Sequence, residues 1–193
     1  LVYHDSHVAT WYVGDGMTKV PTTWEQKDLF TALYGVMPMY TIPDYVFLYG
    51  YRSEFVTSYH LTTSIFKAVG YAKMIDHDFL TDDGTLQRTV FDNGWSVVGY
   101  FGDDTYEFDG QSYPGQGFYA TNGTEVSYRL IEDGHKIAVV KTSDRLMINP
   151  FGETVTRYGV TTTGPVVFRP FDHYVGVAFG SHQSYVDIDL GQF

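Results

Sequence analysis

The sequence predicts an α+β chain: the last strand and helices of a (β/α)8 barrel over residues 1–75, followed by an antiparallel β-sandwich over residues 76–193. Three observations predict it. The opening run Leu1-Val2-Tyr3 is apolar and leads straight into His4-Asp5, as a barrel strand delivers polar side chains at its C-terminal end. Two stretches before about residue 75 carry helical spacing with capping signals. Beyond it the apolar runs shorten and are broken by turn pairs, at the roughly 8–12-residue intervals of a sandwich.

In chain order, the strand comes first. The chain starts without an initiator Met, and its first residues read as core, so it is expected to be the carboxy-terminal part of a larger enzyme. An aromatic loop follows, Thr10-Trp11-Tyr12-Val13-Gly14-Asp15-Gly16. Pro21-Thr22-Thr23-Trp24-Glu25 starts the first helix, with Thr22 and Glu25 spaced as a capping box. Leu29, Phe30, Leu33 and Tyr34 share one face, Gly35 ends the helix, and Pro38 prevents a restart. Pro38 and Pro43 keep the extended segment between them from being a central strand. A second helix is expected near Ser53, with Phe55, Tyr59, Phe66 and Val69 on its stripe and Gly70 at its end.

The period then changes. Asn93-Gly94 predicts a two-residue hairpin turn between 88–92 and 95–101. Gly102-Asp103-Asp104, Asp109-Gly110, Asn122-Gly123, Asp133-Gly134 and Gly164-Pro165 punctuate the remainder. Val126-Ser127-Tyr128-Arg129-Leu130 alternates cleanly, whereas 136–141 is apolar enough to be an inner strand. The boundary near residue 75 is a change of period with no flexible tether, so the two parts are expected to pack together. One strand and two helices cannot close a barrel. Either an upstream segment completes it, or the helices lie on the sandwich.

Composition narrows the function classes. A net charge of −11 with no basic cluster argues against nucleic acid as a partner. No apolar run approaches the roughly 20 residues of a membrane-spanning helix. Cys is absent, which excludes disulfides and thiolate metal sites. With 17 Tyr, 14 Phe and 3 Trp, aromatic rings serve a sheet-rich core and also suit stacking on sugar faces. The composition fits a bacterial protein and leaves its compartment, secreted, periplasmic or cytoplasmic, open.

The candidate substrate-binding residues are His4, Asp5, Trp11, Asp15 and Trp24. A His at a strand end can bond a hydroxyl or move a proton. As readily, it is a core His with Asp5 capping a turn. Asp15 between glycines is a good hydroxyl acceptor or a plain turn residue. Trp11, Tyr12 and Trp24 can wall a sugar subsite or fill a core. Among Asp5, Asp15, Glu25, Asp28 and Asp44 no pair announces itself as the two carboxylates of a glycosidase, so no catalytic residue is assigned. Asp76-His77-Asp78, Asp82-Asp83-Gly84 and Asp187-Ile188-Asp189 have metal-ligand residue types without ligand spacing, and acidic turns account better for them. No metal and no cofactor are expected.

The chain resembles, on longer stretches, the end of the catalytic barrel of large bacterial glycoside hydrolases, the clan of endo-α-N-acetylgalactosaminidases. The residues that carry the likeness are Val2-Tyr3-His4-Asp5, Thr10-Trp11-Tyr12 with Gly14-Asp15, Lys19-Val20-Pro21, Trp24, Lys27-Asp28-Leu29-Phe30, Leu33-Tyr34-Gly35 and Pro38-Met39-Tyr40. It continues through Asp76-His77, Phe79-Leu80-Thr81, Asn93-Gly94 and Phe101-Gly102 to the hairpins between Tyr106 and Gly117. The resemblance implies a (β/α)8 barrel before an antiparallel β-domain, and a retaining mechanism whose carboxylates lie on earlier strands. It also implies that His4, Asp5 and Asp15 contact sugar or set the ionisation of those that do. The expected function is therefore the C-terminal portion of a glycoside hydrolase, inactive as these 193 residues alone, with a carbohydrate substrate and the upstream part of the same enzyme as partners. The alternative is a non-catalytic carbohydrate-binding module, with sheet aromatics such as Trp95 as its platform.

Overall fold

The computed structural model describes residues 4–10, 23–157, 159–171, 174–179 and 182–186. The fold is mixed α+β, with few helices and a large antiparallel sheet. Its elements are α1 (Trp24–Tyr34), α2 (Tyr45–Gly50), α3 (Arg52–Val69), β1 (Met74–Phe79), β2 (Leu86–Phe91), β3 (Ser96–Tyr100), β4 (Tyr106–Phe108), β5 (Gln111–Tyr113), β6 (Phe118–Thr121), β7 (Val126–Glu132), β8 (His135–Thr142), β9 (Arg145–Asn149), β10 (Val155–Arg157), β11 (Val160–Thr162), β12 (Val166–Phe171), β13 (Tyr174–Phe179) and β14 (His182–Val186). The main sheet runs β1-β2-β3-β6-β7-β8-β9-β12-β13-β14, with the β4–β5 hairpin branching onto β7. β10 and β11 pair apart from it. The predicted opening strand and the Thr22 cap lie outside the described residues.

The helices lie on the sheet. Leu29, Ala32 and Leu33 of α1 and Leu61, Ile65 and Val69 of α3 share one core with Phe91, Trp95, Val97, Phe118, Ala120, Ala138, Val140 and Met147. The opposite face holds a second core: Leu86, Tyr100, Tyr113, Leu130, Ile137, Val139, Leu146, Ile148, Val166 and Phe168. Successive residues of one strand serve different cores, Ala138 and Val140 the first, Ile137 and Val139 the second. That is the two-residue period of a pleated strand buried on both faces. Gly99 lets α1 come close: a Cβ there would sit 2.5 Å from the Leu29 Cδ1.

α1 ends as its sequence requires. Gly35 is left-handed (φ 59°) at the C-cap, and the amide of Val36 closes back on the Thr31 carbonyl at 3.2 Å. The Glu25 carboxylate takes the Lys136 Nζ at 2.8 Å. α2 was not legible beforehand. Asp44 caps it, accepting from the Phe47 amide at 2.8 Å, and its apolar residues stay out of the core. α3 starts at Arg52, close to the expected Ser53, but buries another stripe. Thr57, Ser58, His60, Leu61, Thr62, Ser64, Ile65 and Val69 face inward, while Tyr59 is exposed and Phe55 and Phe66 are half-buried. The polar groups of that stripe are bonded. Asn149 Nδ2 donates to Thr57 Oγ1 (2.7 Å), Ser58 Oγ to Asp28 (2.5 Å), and Ser127 Oγ to the Leu61 carbonyl (3.2 Å). Buried partners made this stripe affordable to the helix and hid it from a hydrophobic pattern.

Three further expectations are corrected. The Asn93-Gly94 hairpin has a three-residue loop: the Phe91 amide donates to the Trp95 carbonyl, Gly94 has φ 87°, and Asn93 keeps negative φ. A two-residue type I′ turn needs positive φ at both positions, as Asp109-Gly110 and Asp133-Gly134 show. Asp76 and Asp78 are strand residues rather than turn acids, both paired to Arg88, at 3.5 and 2.5 Å. Ser127 and Arg129, on the polar parity of their strand, are buried under the helices.

Candidate functional site

A cavity of about 420 Å³ opens where the N-terminal turns of α1 and α3 meet the sheet. α1 supplies Thr23, Trp24, Glu25, Gln26 and Asp28; α3 supplies Glu54 and Thr57. The strands and loops add Asp103, Gln116, Arg129 and Phe151. Its size falls in the range that holds one small ligand.

Arg129 is the centre of this wall. It projects from β7 toward α1, is 1% exposed, and pairs its Nη2 with the buried Asp28 at 2.5 Å. Its Nη1 donates to the carbonyls of Glu25 (3.3 Å) and Gln116 (3.4 Å), and its Nε lies 3.8 Å from the Glu25 carboxylate. Glu25 also holds Lys136, whose Nζ sits 4.6 Å from the Phe151 ring centroid. Asn149 ties the rim together: its amide nitrogen donates to Thr57 and its oxygen accepts from the Phe151 amide at 3.0 Å.

The two carboxylates of α1 are tuned apart. Burial pushes Asp28 up to about 6, and Arg129 and Ser58 offset only part of that. Burial raises Glu25 as well, but Arg129 and Lys136 outweigh it and hold its carboxyl below the usual range. Behind Asp28 a buried chain continues through Ser58 to the Tyr40 hydroxyl (2.9 Å), which also meets Thr62 (3.0 Å). Burial and the nearby Asp28 charge push that phenol well above its ordinary value.

Three polar atoms of this wall are buried with no hydrogen-bond partner: Trp24 Nε1, Arg129 Nε and Gln116 Oε1. Trp24 is 4% exposed and Gln116 is fixed by its own amide nitrogen, which donates to the Phe101 (3.0 Å) and Gly102 (3.2 Å) carbonyls. Buried polar groups normally find partners, so a wall with two spare donors and one spare acceptor is suited to a ligand bearing hydroxyls.

The residues chosen from sequence are distributed unevenly. Trp24 walls the cavity, as do Glu25 and Asp28 from the five carboxylates considered. Trp11 and Asp15 lie outside the described residues. Asp5 is exposed and accepts from its neighbour Ser6 at 2.9 Å. His4 does not line the cavity. Its ring bridges two carbonyls, Nδ1 to Ala72 (2.7 Å) and Nε2 to Tyr34 (2.8 Å), so both nitrogens are engaged by the backbone. Trp95, the sheet aromatic considered for a binding platform, is 3% exposed in the helix–sheet core. Arg129, Gln116, Glu54, Asp103 and Phe151 were missed. Arg129 gave the nearest thing to a signal, a cation inside an alternating strand. Only the helix laid over that face makes it a buried one.

Among the described residues no cluster of three or more His, Asp or Glu side chains is placed to hold a metal ion. No helix among them is long and apolar enough to cross a membrane. No protein-family model matches the chain, and no curated protein matches it.

Proposed function

We propose that this chain is the C-terminal portion of a retaining glycoside hydrolase, with the main catalytic carboxylates contributed by the upstream part of the same enzyme. In this reading the cavity beside α1 is a sugar subsite, and the sheet with its second core is an antiparallel sandwich that supports it. The observation that carries the reading is the cavity wall. It combines flat rings, Trp24 and Phe151, with carboxylates and with buried hydrogen-bonding atoms that have no protein partner. That combination suits the alternation of apolar C–H faces and hydroxyls on a pyranose.

Two further features support the larger assignment. Thr10 and Met37 form a parallel bridge on either side of α1, with the Met37 amide donating to the Ala9 carbonyl at 2.8 Å. A parallel pair joined through a helix is the repeating unit of a (β/α)8 barrel. The outer side of α2 presents Tyr45, Val46 and Tyr49 at 73%, 79% and 63% exposure, an apolar surface that the upstream part would cover. The same pair of rings, 5.7 Å apart, favours the second reading, a non-catalytic carbohydrate-binding module with Tyr45 and Tyr49 as its platform.

Saccharide titration followed by NMR and tryptophan fluorescence tests both. Trp24→Phe keeps a ring and removes the spare N–H; it is expected to weaken binding by about tenfold, the worth of one buried hydrogen bond. Unchanged affinity in Trp24→Phe with loss in a Tyr45→Ala/Tyr49→Ala double variant would favour the module. No response to any mono- or disaccharide would end the sugar reading altogether. The mass of the native gene product tests the upstream part: a mass equal to these 193 residues would refute it.

A further inference from the structure

We propose that the cavity selects against acidic sugars: it takes uncharged or ammonium-bearing rings and rejects uronates. The inference rests on the sugar-subsite reading and adds the substrate class. Four carboxylates stand at the wall, Glu25, Asp28, Glu54 and Asp103, against one wall cation, Arg129. Lys136 is the second cation in reach, through Glu25. Both cations are committed, Arg129 to Asp28 and Lys136 to Glu25. The balance of the six groups is therefore two negative charges, carried by the exposed Glu54 and Asp103.

The N-termini of α1 and α3 work in the opposite sense, because a helix presents roughly half a positive charge there. Together that is about half of the excess they would have to overcome, and Glu25 and Glu54 already occupy the first turns. The carboxylates win.

Hydrogen bonding does not separate the two classes. Trp24 Nε1 and Arg129 Nε can only donate, but Gln116 Oε1 can only accept. A hydroxyl satisfies either kind of group. A uronate's carboxylate can accept from the two donors and its ring hydroxyls can serve Gln116, so the discrimination rests on charge.

The test compares matched sugars on the 193-residue chain at pH 7 and low salt. The probes are glucose, glucosamine and glucuronate, and the galacto series of the same three. Within each series the uronate is expected to bind about fivefold or more weaker than the other two, the scale of two partly screened charges. Glu54→Gln/Asp103→Asn changes only exposed side chains and should narrow that gap. Raising the salt to about 0.5 M, where screening is short-ranged, should narrow it too. A uronate that binds as tightly as its neutral partner, or a gap indifferent to both the variant and salt, overturns the inference while leaving a sugar site in place. Absence of binding by all six sugars overturns the sugar-subsite reading itself, and this inference falls with it.

Discussion

His4 shows how a single side chain can organise chain ends that are far apart in sequence. Its ring meets the carbonyls of Tyr34, at the end of α1, and Ala72, between α3 and β1, and packs 5.3 Å from Phe91. His4→Ala is expected to cost about 1–3 kcal/mol by urea unfolding, since it strands two carbonyls and removes a ring contact. A cost near zero would show that the bridge contributes nothing. At the same scale, Asp28 and His60 set opposing pH slopes. Asp28 is raised to about 6 in the folded state against an unfolded value near 3.8. The folded state thus holds that proton more tightly, and stability falls as pH rises between those values. His60 is lowered to about 3, by burial and then by Arg145 and Arg169. The unfolded chain binds that proton first, so stability falls as pH drops from about 6.5 toward 3. Between pH 4 and 6 the two slopes cancel in large part. In Asp28→Asn the His60 slope should stand alone, with stability dropping visibly from pH 6 to 4; an unaltered profile would refute the assignment to Asp28.

At the scale of elements, α1 and α3 differ in how legible they were. α1 carries its apolar face at helical spacing, and Leu29 and Leu33 are buried as that spacing predicts. α3 runs where its caps predict, but of its expected stripe only Val69 is fully buried, while Tyr59 is exposed and Phe55 and Phe66 are half-buried. Four of its eight inward residues bear hydroxyls, each with a partner contributed by α1, a strand or the helix itself. The hairpins came through where both turn residues need positive φ, and Asn93-Gly94 failed by one residue because Asn93 turned its side chain to the Ala68 carbonyl instead. Gly99 lies directly beneath α1, where a Cβ would meet Leu29 and Leu33. Gly99→Ala is expected to lower stability by about 1–3 kcal/mol through overpacking against Leu29, and thermal unfolding measures it. Combined with Leu29→Ala, the two losses should total less than the sum of the single losses; strict additivity would mean the clash lies elsewhere.

For the whole molecule, the core that spans helices and sheet joins residues on both sides of the boundary at residue 75. The two parts are therefore expected to unfold in one cooperative step. Residues 76–193 expressed alone would expose the face beneath α1 and α3, and should bind a hydrophobic dye or fail to fold. A separate, earlier transition for the helices in urea, followed by far-ultraviolet dichroism, would show two independent units instead.

The amino-acid order by itself determined local matters: where α1 ends, where α3 runs, which turns reverse the chain, and that the second half is built of antiparallel strands. Those depend on neighbours a few residues apart. It also marked Trp24, Glu25 and Asp28 as residues worth weighing for chemistry. The candidate site was decided only by the tertiary structure, because its members come from residues 23 to 151 and are joined by burial. Arg129 reads as a solvent-facing cation until α1 covers it. Asp28 reads as a helix-surface acid until Arg129 and Ser58 enclose it. A side chain's charge and reach are written in its own type, but the dielectric around it and the partners it meets belong to the fold.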